Sequence, residues 1–546
     1  MKTLYLLSFI GLFILLFSCN TEKSADVLVR ADKVYTVDSE FSAVESFAVK
    51  DGKILETGTW KDLSGKYDAK QVLDYSGAYI YPGLIDPHCH FYGYSTGLLQ
   101  ANLVGTTSVE AIIERLKEHQ ETYPSKWILG RGWDQNDWKT KDFPTKEMLD
   151  EAFPETPVFL KRIDGHAAWV NSKALALAGV TAKSSIQGGE VILKDSEPQG
   201  ILVDNASTLV SSVIPAYKKE EAAEAILQGQ KNCFAVGLTS VADAGLSKEQ
   251  VMLLDSLQKN DQLKMRIYAM LSPSRKNIEQ FVKKGPYETD FLHVESIKLF
   301  ADGALGSRGA CMLEPYSDDP ENYGLIVTDI SELDSLCNLA YENNFQVNTH
   351  AIGDSANRLM LKMYAKYLGG ANDRRWRIEH AQIIHPIDFQ MFGQYDIIPS
   401  IQTTHATSDM YWADERLGAE RLKGAYAYQE LLKQNGWLPN GSDFPVEHIN
   451  PLLGFYAAIA RKDVKGYPSE GFQIENALTR EQALRAMTIW AAKAAFEEDV
   501  KGSLEPGKMA DFVVFEKDLM HVDEKELPGL DVLKTISGGT IVYQKQ

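Results

Sequence analysis

Eight short apolar stretches recur through the middle of this chain with helix-like segments between them, and this alternation restricts the fold more than any other feature. They are Gly83 to His90, Leu238 to Asp243, Met265 to Leu271, Ser296 to Asp302, Phe345 to His350, Trp376 to His380, Asp396 to Thr403 and Trp437 to Asp443. Strands alternating with helices predict a parallel sheet, and eight is the number that closes a (β/α)8 TIM-like barrel, an α/β fold. One gap breaks the rhythm, because the chain between His90 and Leu238 is far too long for a single helix. An inserted subdomain over about residues 95–230 is therefore expected after the first strand. Two further strand-like pieces, Trp127 to Trp133 and Pro157 to Ile163, fall inside it; counted as barrel strands they would shift the register.

The two ends of the chain read differently. Residues 25–80 and the stretches Gly507 to Phe515 and Gly539 to Tyr543 alternate apolar and polar residues between glycine turns. Short antiparallel strands fit that pattern. We expect residues 19–82 and 500–546 to form one small β-sandwich beside a barrel of residues 83–499. Composition agrees with a packed globular enzyme or binding protein: 546 residues, 44% hydrophobic and 24% charged. With 56 basic and 75 acidic residues the net charge is −19, and no Lys/Arg run occurs, which argues against nucleic acid or an anionic membrane surface as a partner.

Met1-Lys2 and the apolar run Leu4 to Phe17 have the length of a signal-peptide core and are short for a bilayer span. A signal peptide is expected over residues 1–18. Leu16-Phe17-Ser18-Cys19 resembles a bacterial lipoprotein processing site, with Phe17 bulkier than usual. The resemblance implies export, cleavage before Cys19, lipidation of Cys19 and a membrane-anchored protein of the bacterial cell envelope; an ordinary secretory signal or an N-terminal membrane anchor is the alternative. The other cysteines, Cys89, Cys233, Cys311 and Cys337, are scattered and build no disulfide framework.

The first strand ends in His88-Cys89-His90. Successive strand residues face opposite sides, so the two imidazoles project together and can reach one metal ion, while Cys89 faces the packing. A chance pair, or one that satisfies a turn, is the plainer reading. Against it stands the position of the other metal-capable residues. Lys298, His350, His380 and Asp443 lie at or near the ends of strands four, five, six and eight, and active sites of such barrels lie at the C-terminal strand ends.

Seven stretches carry a family resemblance: Pro82 to His90, Ile297 to Gly303, Asn348 to Asp354, Arg377 to Gln382, Gly441 to Pro445 and, in the insertion, Gly130 to Gln135 and Asp164 to Asn171. Together they resemble the metal-dependent amidohydrolases, in the branch of N-substituted formamide deformylase (amidohydrolase family 3 type), over essentially the whole mature chain. The resemblance implies that His88, His90 and Asp443 hold one ion while His350 and His380 hold a second or support the first. It implies that Lys298 is carboxylated and bridges two ions. An ion pair between Lys298 and Asp302 is the alternative, since a protonated lysine is no ligand. Imidazoles and a carboxylate suit Zn²⁺, as one ion or two, with two favoured.

The activity so implied is hydrolysis of a non-peptide carbon–nitrogen bond in an amide, formamide or cyclic amide. Metal-activated hydroxide attacks, Asp443 acts as general base and then acid, and Lys298 counts with Asp443 among the catalytic residues. Candidate contacts to a small-molecule substrate are Arg308, His405, His166 and Trp133, the last equally readable as core. A single-metal deaminase is one alternative, disfavoured because Gly353 stands where nucleobase deaminases carry glutamate. A C–O hydrolase and a non-catalytic lipid-anchored binding protein are the others. The oligomeric state is open, with a homodimer among the options.

Overall fold

The computed structural model describes residues 23–546, so the signal peptide over residues 1–18 and the lipidation residue Cys19 lie outside the described residues. Seven parallel strands follow one another around the barrel: Leu84–Cys89, Leu238–Leu246, Arg266–Leu271, Leu292–Phe300, Gln346–Ala351, Arg377–His380 and Ile398–Ser400. Their residues are almost all buried, as expected where helices cover the outside and side chains fill the middle.

The eighth expected strand, Trp437 to Asp443, forms no regular ladder and contributes a single parallel bridge between Ile401 and Asn440. It still closes the ring. Ile401 N donates to Pro439 O at 3.0 Å and Gly441 N to Ile401 O at 2.9 Å on one side; Asp443 N donates to His88 O and His90 N to Phe444 O, both at 2.8 Å, on the other. The irregularity has local causes. Pro439 brings no N–H, a Cβ on Gly441 would stand 2.7 Å from Asp86 Oδ1, and Asp443 adopts φ +60°. The seventh strand is also shorter than expected, because the chain coils into the helix Thr403–Asp409 directly after it.

The insertion builds its own six-stranded sheet between Ala101 and Asp204. Both strand-like pieces belong to it, as Ile128–Trp133 and Val158–Arg162, so the barrel register does not shift. Leu103, Trp133, Leu160 and Trp169 form the core on one side of this sheet, and Phe159, Val170, Leu175 and Leu202 on the other. The terminal strands join into one hydrogen-bonded path of seven, with the C-terminal strand Phe512–Phe515 pairing Tyr67–Pro82. Lys23–Tyr35 pairs Tyr67–Pro82 in parallel, a departure from the antiparallel expectation. The hairpin of residues 43–58 and the helix Trp60–Lys66 carry the chain across before it returns. Arg266, at the start of the third barrel strand, joins the two sheets through Asp511 at 2.7 Å. Cys89, Cys233, Cys311 and Cys337 are free, and among the described residues no helix is long and apolar enough to cross a membrane.

Candidate metal centre

Each of three imidazoles at the barrel mouth has its Nδ1 committed outward. His88 Nδ1 lies 2.5 Å from Glu379 Oε2, His90 Nδ1 lies 3.1 Å from the carbonyl of Ala244, and His380 Nδ1 lies 2.6 Å from Gln402 Oε1. A neutral imidazole that donates through one nitrogen presents a lone pair on the other, so these contacts orient all three Nε2 atoms for a cation. Asp443 Oδ1 stands 3.2 Å from His90 Nε2 and 3.5 Å from His88 Nε2. That oxygen is buried and has no hydrogen-bond partner among the described residues. A carboxylate oxygen left so is costly, and a cation seated among the three groups removes the cost. The donor atoms of His88, His90 and Asp443 all lie within 4.8 Å of one another, as do those of His380, His405 and Asp443. The residues present therefore fit a divalent cation bound by nitrogen and oxygen.

His405, expected only as a substrate contact, sits in the first turn of Thr403–Asp409, with Nε2 3.6 Å from Asp443 Oδ2 and Nδ1 3.1 Å from Glu447. Burial opposes its charge, but the hydrogen bonds to Asp443 and Glu447 outweigh burial and lift its pKa to about 10. Both of its ring nitrogens face carboxylates, whereas His88 and His90 anchor Nδ1 elsewhere and turn Nε2 to Asp443, which makes His88, His90 and Asp443 the better cation seat. His350 packs 4.6 Å from the His380 ring, with Nε2 3.3 Å from the carbonyl of Gly303. The ion pair between Lys298 and Asp302 does not form. Asp302 instead accepts the backbone N–H groups of Cys311, Ile352 and Gly353. Lys298 is buried with Nζ 3.3 Å from His88 Nε2, and burial pushes its pKa down to about 8.

Asp443 at φ +60° and His380 at φ +74° occupy the left-handed region, where Asp and His are tolerated better than most side chains. Such backbone conformations concentrate at functional sites.

Glu379 was not foreseen as a site residue. Fully buried and 3.5 Å from Arg377, it is held ionised: burial opposes the charge, and His88 and Arg377 outweigh that and bring the pKa to about 2. Period two puts Arg377 and Glu379 on one face of the strand, which accounts for their pairing but does not show that the carboxylate holds His88. Asp86 was also missed; it accepts from Ser442 Oγ at 2.6 Å and from His88 N at 3.1 Å, tying the first strand to the closing segment.

A cavity of about 680 Å³ opens over these groups, with His380, His405 and Asp443 on the barrel side and Arg131, Asp164 and His166 from the insertion. His166 is thus where a substrate contact was expected, its Nδ1 2.6 Å from Asp204 and its ring 4.9 Å from that of His350. Two substrate candidates fall elsewhere. Trp133 is core: its side chain is fully buried, Nε1 donates to Leu160 O at 2.9 Å, and its ring packs on Trp138 and Trp169. Arg308 is tied to Asp318 at 2.9 Å and does not line the cavity, whose guanidinium groups, Arg131 and Arg162, come from the insertion.

A parallel barrel with imidazoles and a carboxylate converging at its mouth, roofed by an insertion, defines a metal-dependent hydrolase. Residues 71–543 match the amidohydrolase family, and the chain belongs to that family. It is 34% identical to Protein LONG AFTER FAR-RED 3 of Arabidopsis thaliana, covering 95% of this chain and 92% of that protein. N-substituted formamide deformylase of Arthrobacter pascens is 26% identical, covering 95% of this chain and 98% of the relative. Among solved structures, an uncharacterized metal-dependent hydrolase from Pyrococcus horikoshii OT3 superposes with a TM-score of 0.75 at 26% identity, covering 91% of this chain and 99% of that one.

Proposed function

We propose that this protein hydrolyses a non-peptide carbon–nitrogen bond in an amide, formamide or cyclic amide. The observation that carries the reading is the buried, unpartnered Asp443 Oδ1 facing the Nε2 atoms of His88 and His90 at the barrel mouth. The likeness to a deformylase of N-substituted formamides supports the choice of bond. His88, His90 and Asp443 would hold a divalent cation, which would supply Lewis acidity and acidify water. The chain's own groups do the rest. Asp443 takes the proton of the attacking water and passes it to the leaving nitrogen. The His405 imidazolium, 3.6 Å from Asp443, steadies negative charge developing on the substrate oxygen. Glu379 and Gln402 hold the rings of His88 and His380 in place. A panel of N-formyl, N-acyl and cyclic amides offered to the zinc-loaded protein, with free amine as the readout, tests this; cleavage of esters but of no amide would move the reading to C–O hydrolysis.

The reading includes two Zn²⁺ ions, for which a carboxylated Lys298 would be the shared ligand. Its support is a buried amine of lowered pKa, 3.3 Å from His88 Nε2. A neutral amine can add CO₂, forming an N–C bond and releasing one proton. Lys298→Ala is expected to drop the metal content from two ions per chain to one, with short carboxylates such as acetate restoring the second. Unchanged stoichiometry in the variant would remove the bridge. The reading also includes export and lipid anchoring in a bacterial envelope through Cys19, supported by the run Leu4 to Cys19. Cys19→Ala should move the protein from the membrane to the soluble fraction, and its persistence in the membrane would point to an uncleaved helix.

A further inference from the structure

The stretch Gly130 to Gln135 resembles the family yet has no part in the chemistry described so far. It forms the strand Ile128–Trp133 of the insertion, and Arg131 lines the cavity above Asp443. Two arginines line that cavity, and they differ in how their charge is met. Arg162 is doubly paired, with Asp134 and with Asp164. Arg131 has no carboxylate within 4.0 Å among the described residues. Among the described residues its one hydrogen bond runs from Nη2 to the carbonyl of Ile163 at 2.9 Å; Nε is buried without a partner there, and Nη1 donates to none of them. Lys161 stands opposite Arg131 on the adjacent strand and likewise has no carboxylate within 4.0 Å.

Three of the carboxylates that line the cavity are already engaged. Asp134 and Asp164 serve Arg162, and Glu447 serves His405 at 3.1 Å. Gly165, at φ +81°, lies beside the guanidinium tip, where a Cβ would stand 3.6 Å from Nη1. A guanidinium held by one carbonyl, with Nη1 and a second Nη2 hydrogen free beside a cavity, matches a carboxylate in fork-to-fork geometry. An unpaired charge placed there without a ligand would cost stability for no return.

We infer that Arg131 recognises a substrate carboxylate, so that the enzyme acts on N-formyl or N-acyl amino acids or similar acids, with the scissile bond at the Asp443 end of the cavity and the carboxylate at the insertion. The inference rests on the carbon–nitrogen reading for the bond that is cut, and on Arg131 alone for the acid. Specificity then sits in the insertion and chemistry in the barrel.

The test uses the metal-loaded full-length protein with N-formylglycine and N-formylglycinamide. The wild-type protein should show a kcat/KM about ten-fold or more higher for the acid. Arg131→Gln should bring that ratio within about two-fold, and Arg131→Lys, which keeps the charge and loses the fork, should recover part of it. A wild-type ratio near one, or an unchanged ratio in both variants, overturns the inference. Calorimetric titration with N-acetylglycine and N-acetylglycinamide reads recognition without turnover. Tighter binding of the acid, lost in Arg131→Gln, supports the role of Arg131 even where neither formyl probe is cleaved, a result that counts only against the carbon–nitrogen reading. Equal binding of acid and amide by the wild-type protein overturns it. If Arg131→Gln fails to fold, Arg131→Lys carries the comparison.

Discussion

Asp443→Ala is expected to lower kcat/KM on a cleaved amide by about 10³-fold or more. Two losses combine. Proton transfer by a positioned side chain is worth about 10²–10⁴-fold, and the same substitution removes the carboxylate that faces both His88 and His90. Asp443→Asn separates the two. It keeps the shape and one acceptor oxygen but cannot take a proton, so it should retain more metal than the alanine variant and still turn over little substrate. Steady-state kinetics alongside metal analysis reads both effects. Activity within ten-fold of wild type in either variant would remove Asp443 from the proton path.

Glu379→Ala should cost about 3–5 kcal/mol of stability, because removing one partner of a buried pair leaves Arg377, itself fully buried, and His88 without their carboxylate. Arg377 keeps hydrogen bonds to Pro87 O and Asn348 Oδ1 at 3.1 and 3.0 Å, which limits the loss. Glu379→Gln retains the volume and isolates the effect on the imidazole. With the orientation of His88 loosened, metal affinity should fall about 10–100-fold. Urea unfolding measures the first effect and chelator competition the second. Wild-type metal affinity in Glu379→Gln would mean that the ring of His88 is held by its packing alone.

The first seven barrel strands were legible as short, largely apolar runs between helix-like segments, and the first, fourth, fifth and sixth also carry metal-capable residues at or near their ends. The closing segment was legible in composition and not in geometry. Whether Pro439, Gly441 and a left-handed Asp443 permit a ladder depends on what packs against them, here Asp86 and the carbonyl of His88. His88, His90, His380 and Asp443 could be found by period two and position along the strands. His405 lay past a strand end, where the chain turns helical, so its approach to Asp443 was invisible to any spacing rule. Glu379 and Gln402 act through other side chains, and nothing local distinguishes a carboxylate that holds a ligand from one that faces solvent. Arg308, expected to contact substrate, is instead held by Asp318, which lies 10 residues away. Trp133 shows the converse: a large aromatic inside a family motif was needed by the core of the insertion, while its neighbour Arg131 faces the cavity.

Metal content of the purified protein, measured per chain by elemental analysis with and without added zinc, bears most directly on this account. One or two divalent ions are predicted, two with Lys298 carboxylated, and Asp443→Ala and His88→Ala should each lower the number. A wild-type protein that is folded and binds no divalent ion under any condition of growth or zinc addition would contradict it.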